Sequence, residues 1–561
     1  MSQSFFDQFR SDTVMYDEFI AILDQHGLRD QKAVGDHLME QAHLQPDRVA
    51  IEEDEASITW RELQERSMRL AAALRRRGVV TGDRVAFQVS NGIAWYVARL
   101  GIALAGAVTV LIFPKFRDKE VSHIVAETEA KVYIGDAPSG DYDNVSVVMR
   151  LREKQGFPRH IIVVGGPAPA EAEAFDSLLA EGADAEHFEP SRIDPDLPDQ
   201  LATSSGTTGF PKIFYHVQHA RKALGRVLAQ RYGVTSEDRV LNLTPMQMGI
   251  GEPWAFWIPL LVGATAIQTA ATDPAQQLAA IRRKRPTIVA AVPTQLAKMA
   301  TVTDFDPAVF ETVHFITNAG APLPASVQEV FEGRGTLVVS NYGNNETGTC
   351  CVIDPNDPLE LRAGRAGKVA PFAQVRIVDE QGRDVPRGVV GEIIWRSHGL
   401  PFAYYRNRAL TEKLLGFGGP NPGWVHSSDG GVMDEAGNIR VTGRIDDMIL
   451  RGGENIFPVE IENELAKFDK IKAVAVIGMP DLIFGERVCA YVVPREGQQP
   501  TLADVKAFAD RVGLAKFKWP ERLEIVADLP LNSSGKVLKT ALRSDIEAKL
   551  KAEADASAAQ T

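Results

Sequence analysis

Cysteine is scarce in this chain. Three cysteines (Cys350, Cys351 and Cys489) among 561 residues cannot build a disulfide framework, and none sits in the CxxC spacing of a metal site, so a reducing compartment is expected. Long hydrophobic runs are missing too. The most apolar stretch, residues 100–114, falls short of the roughly 20 residues of a spanning helix and reads as a buried helix leading into a strand. The opening MSQSFFDQFRSD has no basic segment followed by an apolar core, so no secretory signal is expected and the expected location is cytoplasmic, with no membrane span. Basic charge is in deficit, with 61 lysines and arginines against 74 aspartates and glutamates for a net charge of −13. An acidic surface repels phosphate backbones, which argues against nucleic acid as a partner.

What is present points to a folded globular chain. Hydrophobic residues make up 45% and charged residues 24%, which excludes a largely disordered chain, a collagen-like fibre and a coiled coil. The length exceeds one hydrophobic core and predicts about three to four domains or subdomains. Short β-branched runs at 84–90, 160–164, 287–293, 313–317 and 336–340 predict buried strands. Leucine and alanine at helical spacing predict a helix over 60–78, and Thr272-Asp273-Pro274 predicts the start of another that ends near residue 285. Strands alternating with helices imply parallel α/β sheets. From 374 to 397 the pattern becomes strand, turn, strand, which suggests a small β subdomain. After residue 444 come a polar hairpin (446–453), a helix from Pro458, strands at 472–478 and 487–494, a helix from Thr501, and a final loop and helix around Lys536. The stretch 165–200 reads as a surface connection with one helix, and the tail after Arg543 as a frayed helix.

The most informative segment runs from Thr203 through Ser204, Ser205, Gly206, Thr207, Thr208 and Gly209 to Lys212. Two glycines permit tight, positive-φ backbone, and hydroxyls with successive backbone N–H groups can wrap an anion, Lys212 adding a point charge. This is phosphate-cradle chemistry without the GxxxxGK[ST] spacing of a Walker A loop. Elsewhere single residues carry weaker signals. The Tyr342 ring can stack on a flat purine or simply pack the core. Glu346, just past a strand end, suits a hard cation such as Mg²⁺ near phosphates, or plain solvent. Asp429 can accept both hydroxyls of a ribose. A lone Lys536 would read as a surface charge.

Taken together, the string Ser204–Lys212 resembles the phosphate loop of the adenylate-forming superfamily, which includes acyl- and aryl-CoA synthetases, peptide-synthetase adenylation domains and luciferases. Ala319-Gly320-Ala321-Pro322, Tyr342-Gly343-Asn344-Asn345-Glu346, Trp424 to Asp429, Gly443 to Asp447, Gly452-Gly453-Glu454-Asn455-Ile456 and Pro530 to Lys536 follow in family order, covering roughly residues 36–543. The resemblance implies a large N-terminal domain (1–444) of two α/β subdomains plus a small β subdomain, and a smaller mobile α+β domain (445–561). It implies ATP, Mg²⁺ and CoA. Lys536, Glu346 and Lys212 would be catalytic, with Glu346 and Thr207 at the metal. The nucleotide would lie against the 204–209 loop, Gly320, Ala321, Pro322, Asn341, Tyr342, Gly343, Asn345, Asp429 and Arg444. Asp446 would be the hinge. Gly452, Gly453, Lys516, Phe517 and Lys518 would meet CoA or pantetheine.

Departures from the family pattern occur at Asn345 (usually threonine), Ser427-Ser428 before Asp429, Ile213 (usually glycine) and Gln218 (usually histidine, with His219 one later). Met246, Gln247, Met248 and Trp254 stand where a histidine or aromatic is usual, suggesting an apolar, adaptable acyl-pocket wall together with Asn318, Ala319 and Gly343. The expected activity is an AMP- and pyrophosphate-forming carboxylate–CoA ligase acting on an aromatic, alicyclic or medium-chain apolar acid. The alternative is a stand-alone aryl-acid adenylating enzyme, of the dihydroxybenzoate type, that loads a carrier protein. A third reading, a binding protein that has kept the fold and lost catalysis, is disfavoured because Lys212, Glu346, Asp429, Arg444 and Lys536 are all present. Oligomeric state, a homodimer included, stays open.

Overall fold

The computed structural model describes residues 4–139, 143–182, 188–204, 210–302, 306–321, 323–333, 335–371, 373–397, 403–451, 454–481, 483–532 and 536–558. By their contacts the residues form two compact units, 1–375 with 395–425, and 376–394 with 426–561.

The first unit contains two large sheets. One has seven strands in the spatial order Glu173–Ala174, His160–Val164, Val132–Asp136, Arg84–Gln88, Val108–Leu111, Pro198–Ser204 and Lys212–Val217. Its strands pair in parallel except the last two, which form an antiparallel hairpin. The other has nine strands, and its centre is the parallel set Val49–Glu52, Thr265–Gln268, Arg239–Asn242, Ile288–Ala291, Phe315–Asn318 and Leu337–Asn344. Parallel strands joined by helices bury both faces, which is why these runs are apolar throughout rather than alternating.

The expected helices form where the local chemistry puts them. Helix Trp60–Arg76 starts at Thr59, whose hydroxyl accepts from the Glu62 N–H while Glu62 reaches back to the Thr59 backbone, and it buries Trp60, Leu63, Leu70 and Leu74. Helix Pro274–Lys284 starts after Asp273, whose carboxylate accepts from the backbone of Ala275 and Gln276. The apolar run at 100–114 resolves into the end of helix Ile93–Leu104 and strand Val108–Leu111, all buried. Among the described residues no helix is long and apolar enough to cross a membrane. Two expectations shift. The strand expected to stop at residue 340 continues to Asn344 because Gly348–Val352 pairs antiparallel with its last residues, so Tyr342 lies within a strand. The stretch expected as a surface connection to residue 200 ends in a buried strand, Pro198–Ser204, preceded by helix Phe175–Glu181.

The second unit holds a four-stranded sheet (Gln374–Val378, Gly391–Arg396, Val425–Met433, Ile439–Arg444) and a five-stranded one. The latter is centred on the long antiparallel pair Ile471–Asp481 and Gly485–Pro494, with helices Pro458–Leu465 and Leu502–Arg511 at the expected places. The tail is helix Lys539–Ala558. All three cysteines are buried free thiols.

Candidate active site

In the first unit the phosphate-loop segment closes the hairpin between Pro198–Ser204 and Lys212–Val217, where Ser204 pairs with Lys212. Ser205, Gly206, Thr207, Thr208 and Gly209 lie outside the described residues. Because side chains alternate along a strand, Lys212, Phe214 and His216 share one face. The Lys212 ammonium lies 5.6 Å from the centroid of the Tyr404 ring, a cation–π distance. Tyr404 is buried, and burial together with the negative charge of Glu346 pushes its hydroxyl well above the ordinary tyrosine range. The Lys212 cation and the charge of Glu346 thus both act on one buried phenol.

Glu346 sits in the turn between strands Leu337–Asn344 and Gly348–Val352. Asn344 shapes that turn, its side-chain oxygen accepting from the Thr347 backbone N–H at 2.7 Å and the Thr347 hydroxyl at 2.6 Å. Gly343 has no room for a side chain, since a Cβ would stand 2.1 Å from the Gly348 carbonyl oxygen. Tyr342 meets Trp395 edge-on at 5.9 Å. Asn341 donates to the Thr317 hydroxyl at 3.0 Å. Asn318 ends the neighbouring strand and donates to Ser340 at 3.0 Å. Gly320, at φ +93°, and Ala321 are exposed just beyond it, and Pro322 lies outside the described residues. These residues cluster past the carboxyl ends of parallel strands, where α/β sheets characteristically bind ligands.

The acyl-side residues divide. Met246 and Trp254 are core, Trp254 packing between Tyr232 at 5.9 Å and Phe315 at 5.5 Å. Gln247 is buried and donates to the Val89 carbonyl at 3.3 Å, its own carbonyl accepting from the Asn345 amide at 3.4 Å. Met248 and Ala319 are half-buried. Gln218 and His219 face away from this cluster. Gln218 accepts from the Val34 backbone at 2.9 Å, and His219 pairs with Asp196.

Behind the site lies a buried polar chain that sequence reasoning did not single out. Glu252 accepts from Arg221 at 2.6 Å, from the Gln200 amide at 3.2 Å and from the Trp257 indole at 3.3 Å. Gln200 also donates to His216 Nδ1 at 2.9 Å, and His216 Nε2 reaches the Asn345 carbonyl at 2.8 Å. Burial pushes His216 down to about 3, with Arg221 adding to the effect, so the ring is neutral. Burial alone would raise the Glu252 carboxyl, but Arg221 and Arg99 outweigh it and hold it below the usual range. Tyr404 and this chain had no motif to mark them; the only sequence signal was a run of polar residues (Gln200, His216, Arg221, Glu252) inside otherwise apolar segments.

In the second unit Asp429 and Arg444 pair directly across strands Val425–Met433 and Ile439–Arg444, with 3.6 Å between Nε and Oδ1. The kink before Asp429 comes from Ser428 at φ +57°, whose N–H is held by Glu392 at 3.1 Å. Ser427 caps the Asp429 N–H at 2.8 Å. Asp446 is exposed in the three-residue turn Ile445–Asp447, where Arg444 approaches it at 3.3 Å and Arg543 donates to its carbonyl at 3.2 Å. Lys536 is exposed, its backbone N–H donating to the Asn532 side chain at 2.9 Å and its carbonyl accepting from the Asn532 N–H at 2.8 Å. Lys516 is exposed, Phe517 half-buried, and Lys518 is bound to Glu460 at 2.7 Å. Gly452 and Gly453 lie outside the described residues.

Among the described residues no group of three or more histidine, cysteine or acidic side chains could enclose a metal ion. The single hard carboxylate of Glu346 nevertheless fits Mg²⁺, which usually takes one or two carboxylates and completes its shell with phosphate oxygens and water.

Residues 38–405 match the AMP-binding enzyme family, and residues 460–536 match the AMP-binding enzyme C-terminal domain. The chain is 29% identical over 531 residues to the medium-chain fatty-acid–CoA ligase of Escherichia coli (strain K12), a match covering 94% of this chain and 92% of that protein. It is 30% identical over 516 residues to the feruloyl-CoA synthase of an Amycolatopsis species, covering 91% and 99%. The crystal structure of ATP-bound MatB from Rhodopseudomonas palustris is similar at a TM-score of 0.81 and 26% identity, covering 92% of this chain and 99% of that one.

Proposed function

Because the chain belongs to the AMP-binding enzyme family, and with it to the AMP-forming acyl- and aryl-CoA ligases of the adenylate-forming superfamily, we propose that it activates an aromatic, alicyclic or medium-chain apolar carboxylic acid with ATP and passes the acyl group to the CoA thiol. The observation that carries this reading is that the Lys212 cation and the charge of Glu346 both act on Tyr404, since two anions must be brought together before either can react. The two relatives are by name a medium-chain fatty acid ligase and a feruloyl ligase, which supports the medium-chain and aromatic parts of the proposed class.

In the first half-reaction a carboxylate oxygen bonds to the α-phosphorus of ATP and the bond to the β-phosphate oxygen breaks, releasing pyrophosphate. Lys212 would neutralise charge on the phosphates, and Tyr404 would keep the lysine and Glu346 apart yet within reach of the same group. Glu346 and Thr207 would hold Mg²⁺, which supplies charge neutralisation on the phosphate oxygens when bound. Lys536 would stabilise the charge that develops between carboxylate and α-phosphate, and Asp429 with Arg444 would hold the ribose. In the second half-reaction the thiol sulfur bonds to the acyl carbon and AMP leaves. Asp446, exposed on a short turn, suits the large φ/ψ change of a hinge between half-reactions, and we place the functional boundary there, dividing 1–444 from a lid of 445–561.

A carrier protein as the thiol donor has one specific observation in its favour. Lys518 is engaged by Glu460 and Arg451 by Glu521, which weakens the cationic surface a CoA 3′-phosphate would use. The two readings separate in one experiment, a panel of aromatic, alicyclic and C4–C12 acids incubated with ATP and Mg²⁺, with and without CoA. Pyrophosphate turnover that requires CoA, with a thioester mass, is the expected result. Accumulated adenylate with CoA left unmodified would overturn the CoA assignment in favour of a carrier.

A further inference from the structure

We propose that His216 is a positioning residue, locked as the Nε2–H tautomer to fix the Asn345–Glu346 turn and so aim the Glu346 carboxylate at the cation that accompanies ATP. The proposal rests on the reading of Glu346 as the metal-side carboxylate.

The tautomer follows from donors and acceptors alone. The Glu252 carboxylate only accepts, so the Gln200 atom 3.2 Å from it must be the amide nitrogen. That same nitrogen lies 2.9 Å from His216 Nδ1, and an amide N–H only donates, so Nδ1 must accept. The ring proton then sits on Nε2, which donates to the Asn345 carbonyl at 2.8 Å. Arg221, 2.6 Å from Glu252, anchors the far end. A continuous relay therefore runs from Arg221 through Glu252, Gln200 and His216 to the backbone immediately before Glu346. Each of these side chains is at least nine-tenths buried, so the relay has no solvent to exchange partners with.

The turn it reaches is held from three sides. Asn344 fixes Thr347, the Asn345 amide donates to the Gln247 carbonyl at 3.4 Å, and His216 takes the Asn345 carbonyl. With Asn345 pinned at both its carbonyl and its side chain, the Glu346 Cα has little freedom. A small cavity with room for about one water is lined by His216, Arg221, Glu346 and Gly348, so relay and carboxylate share a wall. The asparagine that replaces the usual threonine thereby gains a role, because its longer amide ties the metal-side turn to the acyl-side segment at Gln247. Outer-shell hydrogen bonds of this kind typically change metal affinity or activity by about 10–100-fold when removed.

The test uses Mn²⁺ as the probe cation with α,β-methylene-ATP, followed by electron paramagnetic resonance of free Mn²⁺, beside steady-state adenylation kinetics and thermal unfolding. His216→Leu keeps the volume and removes the donor, whereas His216→Gln restores an N–H near the Nε2 position. We expect His216→Leu to weaken Mn²⁺ binding to the nucleotide complex by about tenfold or more and to lower kcat/KM for Mg·ATP by about 10–100-fold, leaving KM for the acid nearly unchanged. His216→Gln should recover most of both. Should His216→Leu fail to fold, Gln200→Leu, which leaves the ring but frees its tautomer, should shift Mn²⁺ affinity in the same direction by a smaller factor. Unchanged Mn²⁺ affinity in the folded His216 or Gln200 variants, with Glu346→Gln weakened, would overturn the His216 proposal alone. Unchanged affinity in Glu346→Gln would overturn the Glu346 reading and the proposal with it.

Discussion

The charged groups of the two units are built in opposite ways. Around Lys212 and Glu346 the first unit supplies side chains that are buried and linked end to end, from Arg221 and Glu252 to His216 and the Asn345 carbonyl. In the second unit Lys536, Asp446 and Lys516 stand exposed, the Lys536 backbone bonded to Asn532 and Asp446 contacted by Arg444 and Arg543. The difference teaches which parts of such a site must be stiff. A carboxylate that aligns phosphates has to hold its place to a few tenths of an ångström before substrate arrives. A lysine expected to act in one half-reaction is placed at the surface instead, in the turn where its backbone bonds to Asn532.

The largest expected effect breaks the buried side of that contrast. Glu252→Ala leaves Arg221 as an uncompensated charge in the core, and removing one partner of a buried pair costs about 3–5 kcal/mol. Chemical unfolding should show a loss in that range, whereas Lys467→Ala, which breaks an exposed pair with Glu464, should stay within about 0.5 kcal/mol. Equal losses would mean the burial contrast has no energetic content. On the exposed side the sign of the contrast reverses. Lys536→Ala should leave thermal unfolding nearly unchanged and yet slow acid-dependent pyrophosphate release by about 10²–10³-fold, the usual consequence of deleting a group that stabilises transition-state charge. A variant as fast as the parent would remove Lys536 from the chemistry.

A third effect probes a buried cation, Lys222, that the proposed chemistry does not use. Lys222 is fully buried and donates to the Asp30 carbonyl at 2.8 Å and to the Lys32 carbonyl. Burial lowers its ammonium to about 8, with Asp30 opposing the shift. The unfolded lysine keeps its proton to about pH 10.4, so between these values the unfolded state binds more protons and stability rises with pH. The difference in unfolding free energy between the parent and Lys222→Met should therefore grow as pH is raised from 8 to 10.5, by about 3 kcal/mol at most. A difference that stays flat across that window would place the folded lysine with the ordinary, solvated ones.

Much of this arrangement was legible in the sequence, and the boundary of what was legible is physical. Asp273 and Thr501 announced their helices because capping is local chemistry, and both helices start one residue later. Lys212, Tyr342, Glu346 and Asp429 stand out as candidates because each belongs to a string whose spacing is set by the chain itself. Strand Leu337–Asn344 was cut short because its extra length comes from pairing with a later strand, which no local window contains. Met246 and Trp254 were assigned to a pocket wall because apolar residues near a motif look the same whether they line a cavity or fill a core. Tyr404 and Glu252 were missed for a related reason. Tyr404 gains its meaning from Lys212 and Glu346, and Glu252 from Arg221 and Gln200, partners 31 and 52 residues away in the chain.

The smallest expected effect sharpens the contrast within the second unit alone. Lys516 and Lys518 lie in the same short turn, but Lys516 is exposed whereas Lys518 is held by both oxygens of Glu460, at 2.7 and 2.8 Å. If this turn meets the CoA 3′-phosphate, Lys516 meets it with its full charge, and Lys518 must first give up its carboxylate. A pair this near the surface is worth no more than about 1 kcal/mol, so the penalty is at most a factor of about five. Lys516→Ala should therefore raise KM for CoA more than Lys518→Ala does, and Glu460→Gln should lower it by up to about fivefold without changing KM for ATP or for the acid. Dephospho-CoA should respond to none of the three substitutions, because it lacks the 3′-phosphate. If CoA and dephospho-CoA respond alike, the turn does not read that phosphate, and the cationic residues near it serve the fold of the second unit instead.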